Sequence, residues 1–297
     1  MNASLKKQFI EEGYIILDVL SEEEIFHFRS IMDKLLNPEI RASNNSKRGS
    51  SFQHLGDNLS EFGQEARQYY FHLLTKAGTE PIHHAFHHPT ILEAVEQLIG
   101  PKPIINNASI LAANEGTSYS LGWHRDIIQI PEDQIEDWLF SPERFHNSVQ
   151  INLPLVEENS LWIVPGSHNR PNRAEENTAF SGSKHYAPIA VEMPGGIPVK
   201  LNAGQAVLYN NNLIHRGYTE TMKVPRRTIH MGYHSAAYPP TWHFYLLNSD
   251  LLTKEYLNTL SPTIKSMMED YIACRAEYPD MSKTWTKAYN FPSSHSI

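Results

Sequence analysis

Two residues able to hold a metal stand two apart in the stretch GWHRD: His124 and Asp126. On an extended strand, residues i and i+2 face the same side, roughly 6.6 Å apart at about 3.3 Å per residue. A neutral imidazole and a carboxylate so placed can converge on one cation. With 16 histidines in 297 residues, a chance pair in a surface turn competes with that reading. A third donor stands in LYNNNLIHRGYTE. There His215 follows an expected strand and precedes a glycine-containing turn. Two histidines and one carboxylate on one face of an ion leave its other positions open, a set suited to Fe(II) and dioxygen. The distance from His124 to His215 is too long for a local motif, so only a fold can bring them together.

Eleven residues past His215 lies Arg226, in VPRRTIHMGY. A guanidinium fork holds a carboxylate in two-point fashion, which lysine does less well. Thr228 shares its strand face and can add a hydroxyl; Arg227 points the other way. The competing reading of Arg226 and Arg227 is a solvated strand end. His230 shares the Arg226 face and can line a pocket. Gln150 and Asn107 fall on expected core strands, where inward polar side chains could touch a cosubstrate or substrate. Trp123 is read either as a shield for the metal or as core. His168, in PGSH, is expected to fix a turn. The tract HHAFHHP (83–89) is expected to be scaffold, despite its metal-like look.

The elements that must position these residues can also be read. A strand over 14–19 precedes Ser21-x-x-Glu24, a capping-box pattern, and Ile25, Phe28, Ile31, Met32 and Leu35 recur at helical spacing. Further helices are expected over 61–77 and 89–99, the second bracketed by Pro89 and Gly100. From Pro103 short apolar runs alternate with turns: 103–113, 148–155, 161–166, 205–210 and 227–234. These suit strands of an antiparallel sandwich or barrel. The stretch 167–200 is polar and turn-rich, a loop over one end of the core. Ser261-Pro262 opens a C-terminal helix. The expected organisation is one domain over 1–297: a mostly helical layer (1–102), a β core (103–240) and a C-terminal helical segment (241–297).

Composition bounds the function. Net charge is −8, with no basic cluster, so nucleic acid and anionic membrane surfaces are poor partners. The longest apolar runs are too short to span a bilayer, and no secretion signal opens the chain. A single cysteine, Cys274, excludes a disulfide framework and suits a cytoplasmic, reducing compartment. There is no GxGxxG before a helix, no P-loop, no HExxH and no GxSxG.

An ordered set of motifs resembles the phytanoyl-CoA dioxygenase family of Fe(II)- and 2-oxoglutarate-dependent oxygenases. The set is Phe9-x-x-x-Gly13-Tyr14, HPTILEAVEQLIGP (88–101), GWHRD (122–126), ENSLWIVPGSH (158–168), then His215 with Arg226. The resemblance runs over roughly residues 9–235. It implies a double-stranded β-helix, a cupin-like jelly roll with flanking helices. It implies His124, Asp126 and His215 as iron ligands and Arg226 as the anchor for 2-oxoglutarate, with Thr228, Gln150 and Asn107 as further cosubstrate contacts. Fe(II), 2-oxoglutarate and dioxygen would be consumed or used to hydroxylate a small molecule, releasing succinate and CO2. Desaturation or epimerisation on the same scaffold is the first alternative. A non-redox metal-dependent cupin enzyme or a non-catalytic binding protein is the second. Three features depart from many relatives: the long acidic segment 131–147, Asn159-Ser160 where Asn-Gly is common, and the unmatched part past about 240. They argue against a phytanoyl-CoA substrate and for a smaller one. Candidate pocket residues there are Trp138, Phe140, Trp242, His243 and Tyr245.

Overall fold

Four of the five apolar runs become neighbouring strands of one sheet, and the run 161–166 carries a strand of a second. A computed structural model describes residues 3–36, 52–54, 68–70, 73–74, 78–116, 119–126, 147–180, 187, 191–238 and 252–278. The strands are β1 (Tyr14–Asp18), β2 (Phe52–His54), β3 (Gln68–Tyr70), β4 (Ile104–Ala113), β5 (Tyr119–Ser120), β6 (Ser148–Pro154), β7 (Leu161–Ile163), β8 (Ile197–Pro198), β9 (Gln205–Asn210), β10 (His215–Thr219) and β11 (Arg226–His234). A seven-stranded sheet has the order β1-β9-β6-β11-β4-β3-β2 and a four-stranded sheet the order β5-β10-β7-β8. Every described pairing is antiparallel. Two antiparallel sheets with flanking helices form the expected jelly-roll core.

The helices are α1 (Ala3–Glu12), α2 (Glu22–Leu35), α3 (Pro89–Ile99), α4 (Ala174–Ala179), α5 (Lys254–Leu257) and α6 (Pro262–Glu277), with a 3-10 helix over Glu80–His87. The Ser21 hydroxyl accepts from the Glu24 amide, and the Glu24 carboxylate accepts from the Ser21 amide, closing the expected capping box of α2. Ser261 caps α6 in the same way through the Ile264 amide. Helix α3 starts and stops where Pro89 and Gly100 predict.

One expectation fails. The helix expected over 61–77 is not formed where the chain is described: Gln68–Tyr70 is a strand paired with β4 and β2. The apolar spacing of that stretch fits a helix, but the free edge of β4 takes the segment as a neighbour, and tertiary pairing overrides propensity. The expected strand over 14–19 is β1, and it joins the large sheet together with β2 and β3. The region 167–200 carries α4 and β8 as well as turns.

The core lies between the large sheet and the helices. Ile229, Met231 and Tyr233 of β11 point there, beside Ala108 and Ile110 of β4 and Ile151 and Leu153 of β6. Helix α3 packs on β6 and α6 on β4, contributing Ile91, Val95, Ile264 and Met268. Each such side chain, fully withdrawn from water, stabilises the fold by about 1.5–3 kcal/mol before entropy is counted. The opposite face of the same strands carries the polar residues of interest. No described helix is long and apolar enough to cross a membrane.

Candidate metal centre

His124 sits just outside β5 and pairs with His215, the first residue of β10. Their amides and carbonyls bond reciprocally, each at 2.9 Å. This bridge makes two residues distant in sequence into direct neighbours, with ring centroids 4.3 Å apart. Asp126, two residues on, is fixed by its amide to the Asn211 carbonyl at 3.0 Å. Its carboxylate then faces both rings: Oδ1 is 3.6 Å from His124 Nε2 and Oδ2 is 3.3 Å from His215 Nε2. One donor atom from each of the three residues lies within 4.8 Å of the others, and all three residues are buried. Among the described residues this is the one cluster of its kind.

The backbone also chooses the tautomers. His124 Nδ1 is 2.8 Å from the Gly122 carbonyl and His215 Nδ1 is 2.9 Å from the Leu213 carbonyl. A carbonyl only accepts, so in each neutral ring Nδ1 holds the proton and Nε2 keeps its lone pair for the cluster. Burial by itself would depress the His215 pKa, but the Asp126 charge, its hydrogen bond and the Leu213 carbonyl outweigh it and raise the value.

Gln150 lies on a buried strand beside the cluster. Its amide nitrogen donates to Asp126 Oδ2, and its carbonyl accepts from the Tyr209 hydroxyl at 3.2 Å. It steers the carboxylate. Tyr209 also meets the His215 ring edge-on, with centroids 5.3 Å apart. Arg226 and Thr228 lie further along β11 on its polar face, 2% and 0% exposed. Arg226 Nη2 is 2.6 Å from Glu158 Oε1, and the Thr228 hydroxyl donates to the other oxygen of Glu158. Asn107 and His230 share this face: Asn107 accepts from Ser109 at 3.2 Å, and His230 Nδ1 is 2.7 Å from Asn152 Oδ1. Arg227 points away, as expected, to Asp33 at 2.7 Å.

His168, His83, His88 and Trp123 make structural contacts. His168 reaches the Ile10 carbonyl at 3.2 Å and fills the space beside Gly13, whose φ of 83° suits glycine. In the histidine tract, His83 bonds the Leu73 carbonyl at 2.7 Å, and His88 lies 3.5 Å from Glu24. Trp123 is core, packed with Phe180 and Ile214 and covered by the Arg216 guanidinium at 4.6 Å.

Sequence reasoning missed Glu158, Tyr209 and the role of Arg125. Glu158 stands inside a quoted motif, but nothing in sequence shows which basic group a carboxylate meets. Arg125, between the predicted ligands, is wholly buried and donates to the carbonyls of Ser167 and Asn212 and to Asn172 Oδ1. Burial brings its pKa down to about 9, so it stays a cation at neutral pH and staples the 167–172 loop to the turn before His215. Trp138, Phe140, Trp242, His243 and Tyr245 lie outside the described residues.

Solved structures with the same fold exist. EctD from S. alaskensis, solved with 2-oxoglutarate and 5-hydroxyectoine, is 18% identical with a TM-score of 0.58, covering 82% of this chain and 79% of its own. The epimerase SnoN, solved with Fe3+, alpha ketoglutarate and nogalamycin RO, is 19% identical with a TM-score of 0.57, covering 82% and 88%. AviO1 from Streptomyces viridochromogenes Tue57 is 18% identical with a TM-score of 0.56, covering 80% and 97%. At such identities the likeness speaks for the fold. No curated protein sequence matches. The family model described as Phytanoyl-CoA dioxygenase (PhyH) matches residues 9–228, most of the chain, and the protein therefore belongs to the phytanoyl-CoA dioxygenase family.

Proposed function

We propose that the protein is an Fe(II)- and 2-oxoglutarate-dependent dioxygenase that hydroxylates a small molecule. The observation that carries this is the cluster of His124, Asp126 and His215, with both Nε2 lone pairs turned toward one carboxylate. The donor set fits iron: two neutral imidazoles and one carboxylate suit Fe(II) and leave positions for other ligands. His124, Asp126 and His215 would hold the metal. Bound there with 2-oxoglutarate, iron would couple decarboxylation of the cosubstrate to oxidation of an unactivated C–H bond, yielding succinate and CO2.

The chain's own share is positioning. Gln150 holds one oxygen of Asp126, leaving the other to face the metal. In the neutral rings the Gly122 and Leu213 carbonyls hold the proton on Nδ1, which leaves each Nε2 as the donor atom. Arg226 and Thr228 would take the far carboxylate of 2-oxoglutarate on a face closed to water. Asn107 and His230 line the same face and would contact the cosubstrate or substrate. A carboxylate at position 126 fills the place a halide would need, which favours hydroxylation over halogenation. Desaturation and epimerisation need the same ligands, and the seating of the substrate decides among these outcomes. SnoN is described as an epimerase and SnoK, at 19% identity, as a carbocyclase. The 297 residues read as one oxygenase domain with a reducing, cytoplasmic setting, without nucleic-acid or membrane partners.

The test is an anaerobic titration of the protein with Fe(II) and then 2-oxoglutarate. A weak visible band on adding 2-oxoglutarate, and succinate once air is admitted, is the expected result. Metal binding with neither band nor succinate would favour a non-redox cupin enzyme.

A further inference from the structure

The predicted anchor for 2-oxoglutarate already holds a carboxylate of this chain. Arg226 Nη2 is 2.6 Å from Glu158 Oε1, and the side chains are 2% and 3% exposed. Thr228 donates to Oε2. Ser160 donates its hydroxyl to Oε1 at 2.5 Å. Both oxygens of Glu158 are thus engaged by the two groups assigned to the cosubstrate, with Ser160 as a brace.

A second carboxylate cannot join the first on one buried guanidinium at low cost. Two like charges in a site of low dielectric repel strongly, and one of them has to leave or take up a proton. Glu158 is built to leave by side-chain rotation alone. Its backbone is pinned, its amide to the Leu201 carbonyl at 3.0 Å and its carbonyl to the Leu201 amide at 2.8 Å. Its neighbours Glu157 and Asn159 are exposed, so the main chain here runs at the surface and an outward rotamer reaches water.

We propose that Glu158 is an internal stand-in for the far carboxylate of 2-oxoglutarate, held by Arg226, Thr228 and Ser160 until the cosubstrate displaces it. The inference rests on the cosubstrate reading above. Glu158 spares Arg226 the heavy cost of a buried unpaired charge, and it weakens cosubstrate binding by competing for the same donors. It is a positioning residue, touching the anchor rather than the reacting atoms.

The test compares wild type with Glu158→Gln and Ser160→Ala. The affinity for 2-oxoglutarate is read from the midpoint of the anaerobic Fe(II) band titration. It is read again from the rise in melting temperature of the Mn(II)-loaded protein with added 2-oxoglutarate. Glu158→Gln keeps the shape and removes the competing charge. Binding should tighten on the order of tenfold, as loss of one charge-assisted competitor implies. Ser160→Ala removes only the brace and should tighten binding about two- to five-fold, one ordinary hydrogen bond; it serves alone should the first variant fail to fold. A Glu158 that merely holds Arg226 in pose predicts the opposite sign, so weaker or unchanged binding in the variants overturns the proposal while the cosubstrate assignment stands. No response to 2-oxoglutarate in any of the three proteins would sink the cosubstrate assignment, and this proposal with it.

Discussion

The two faces of the large sheet are made from the same strands and do opposite work. Along β11, Ile229, Met231 and Tyr233 face the helices while Arg226, Thr228 and His230 face the other way. On β4 the pattern repeats, with Ala108 and Ile110 against Asn107 and Ser109. On β6 it sets Ile151 and Leu153 against Gln150 and Asn152. All ten residues of β4 and all seven of β6 are buried, so exposure does not separate the faces; chemistry does. A buried polar face survives only because its groups find partners: Gln150 on Asp126, His230 on Asn152, Arg226 on Glu158. One face holds the fold together and the other stores polarity that a ligand can use.

That division is easiest to break on the polar face. Asp126→Ala removes the only carboxylate of the cluster and should abolish metal-dependent turnover while the melting profile stays cooperative. Native metal affinity in this variant, measured by calorimetry, would rule out the ligand role. On the apolar face, Ile229→Ala leaves a cavity between Ile110 and Leu153 and should cost about 2–5 kcal/mol in denaturant unfolding. Metal affinity of the folded protein should be unchanged. If Ile229→Ala lowers metal affinity as strongly as it lowers stability, the two faces are not separable.

How much of this was legible in the sequence follows the same division. The apolar strands showed as short runs between turn residues, and α2, α3 and α6 through their caps, because these signals are local. The family was legible because its motifs keep their order; the match over 9–228 nearly coincides with the span of the resemblance. His124, Asp126 and His215 were found as types and come together through one antiparallel bridge that no local signal encodes. Gln150 was found by its strand face, but its bond to Asp126 was not, since a sequence gives the face a side chain shares and not the atom it meets. Glu158 was missed for that reason: its motif was noticed, its pairing was not. The segment 68–70 read as helix because its apolar spacing allows both periods, and only an available strand edge decides.

Smaller changes should grade the polar face. Gln150→Ala removes the steering bond to Asp126 and its link to Tyr209, and should weaken metal binding by about 10–100-fold, the usual effect of losing such an outer partner. Tyr209→Phe cuts the same chain one link further out and should cost less. Equal losses would mean that Tyr209, through its contact with the His215 ring, matters apart from Gln150.

The smallest effect is one of pH. The fold raises the His215 pKa above its ordinary value near 6.5, so in the metal-free protein the ring beside Asp126 keeps its proton to a higher pH than a free imidazole. The stability this contributes is fully present below the unfolded pKa and is lost as pH rises through the raised folded value. A metal needs the unprotonated Nε2 and must displace that proton. Metal affinity should therefore fall about tenfold per pH unit below the folded pKa and level off above it. The metal-induced rise in melting temperature should grow over the same interval. Asp126→Asn removes the charge that holds the proton, so the bend in any residual metal binding should shift to lower pH. A bend that stays in place would assign the titrating group to another residue and leave His215 neutral throughout, with the polar face tuned by hydrogen bonds instead of charge.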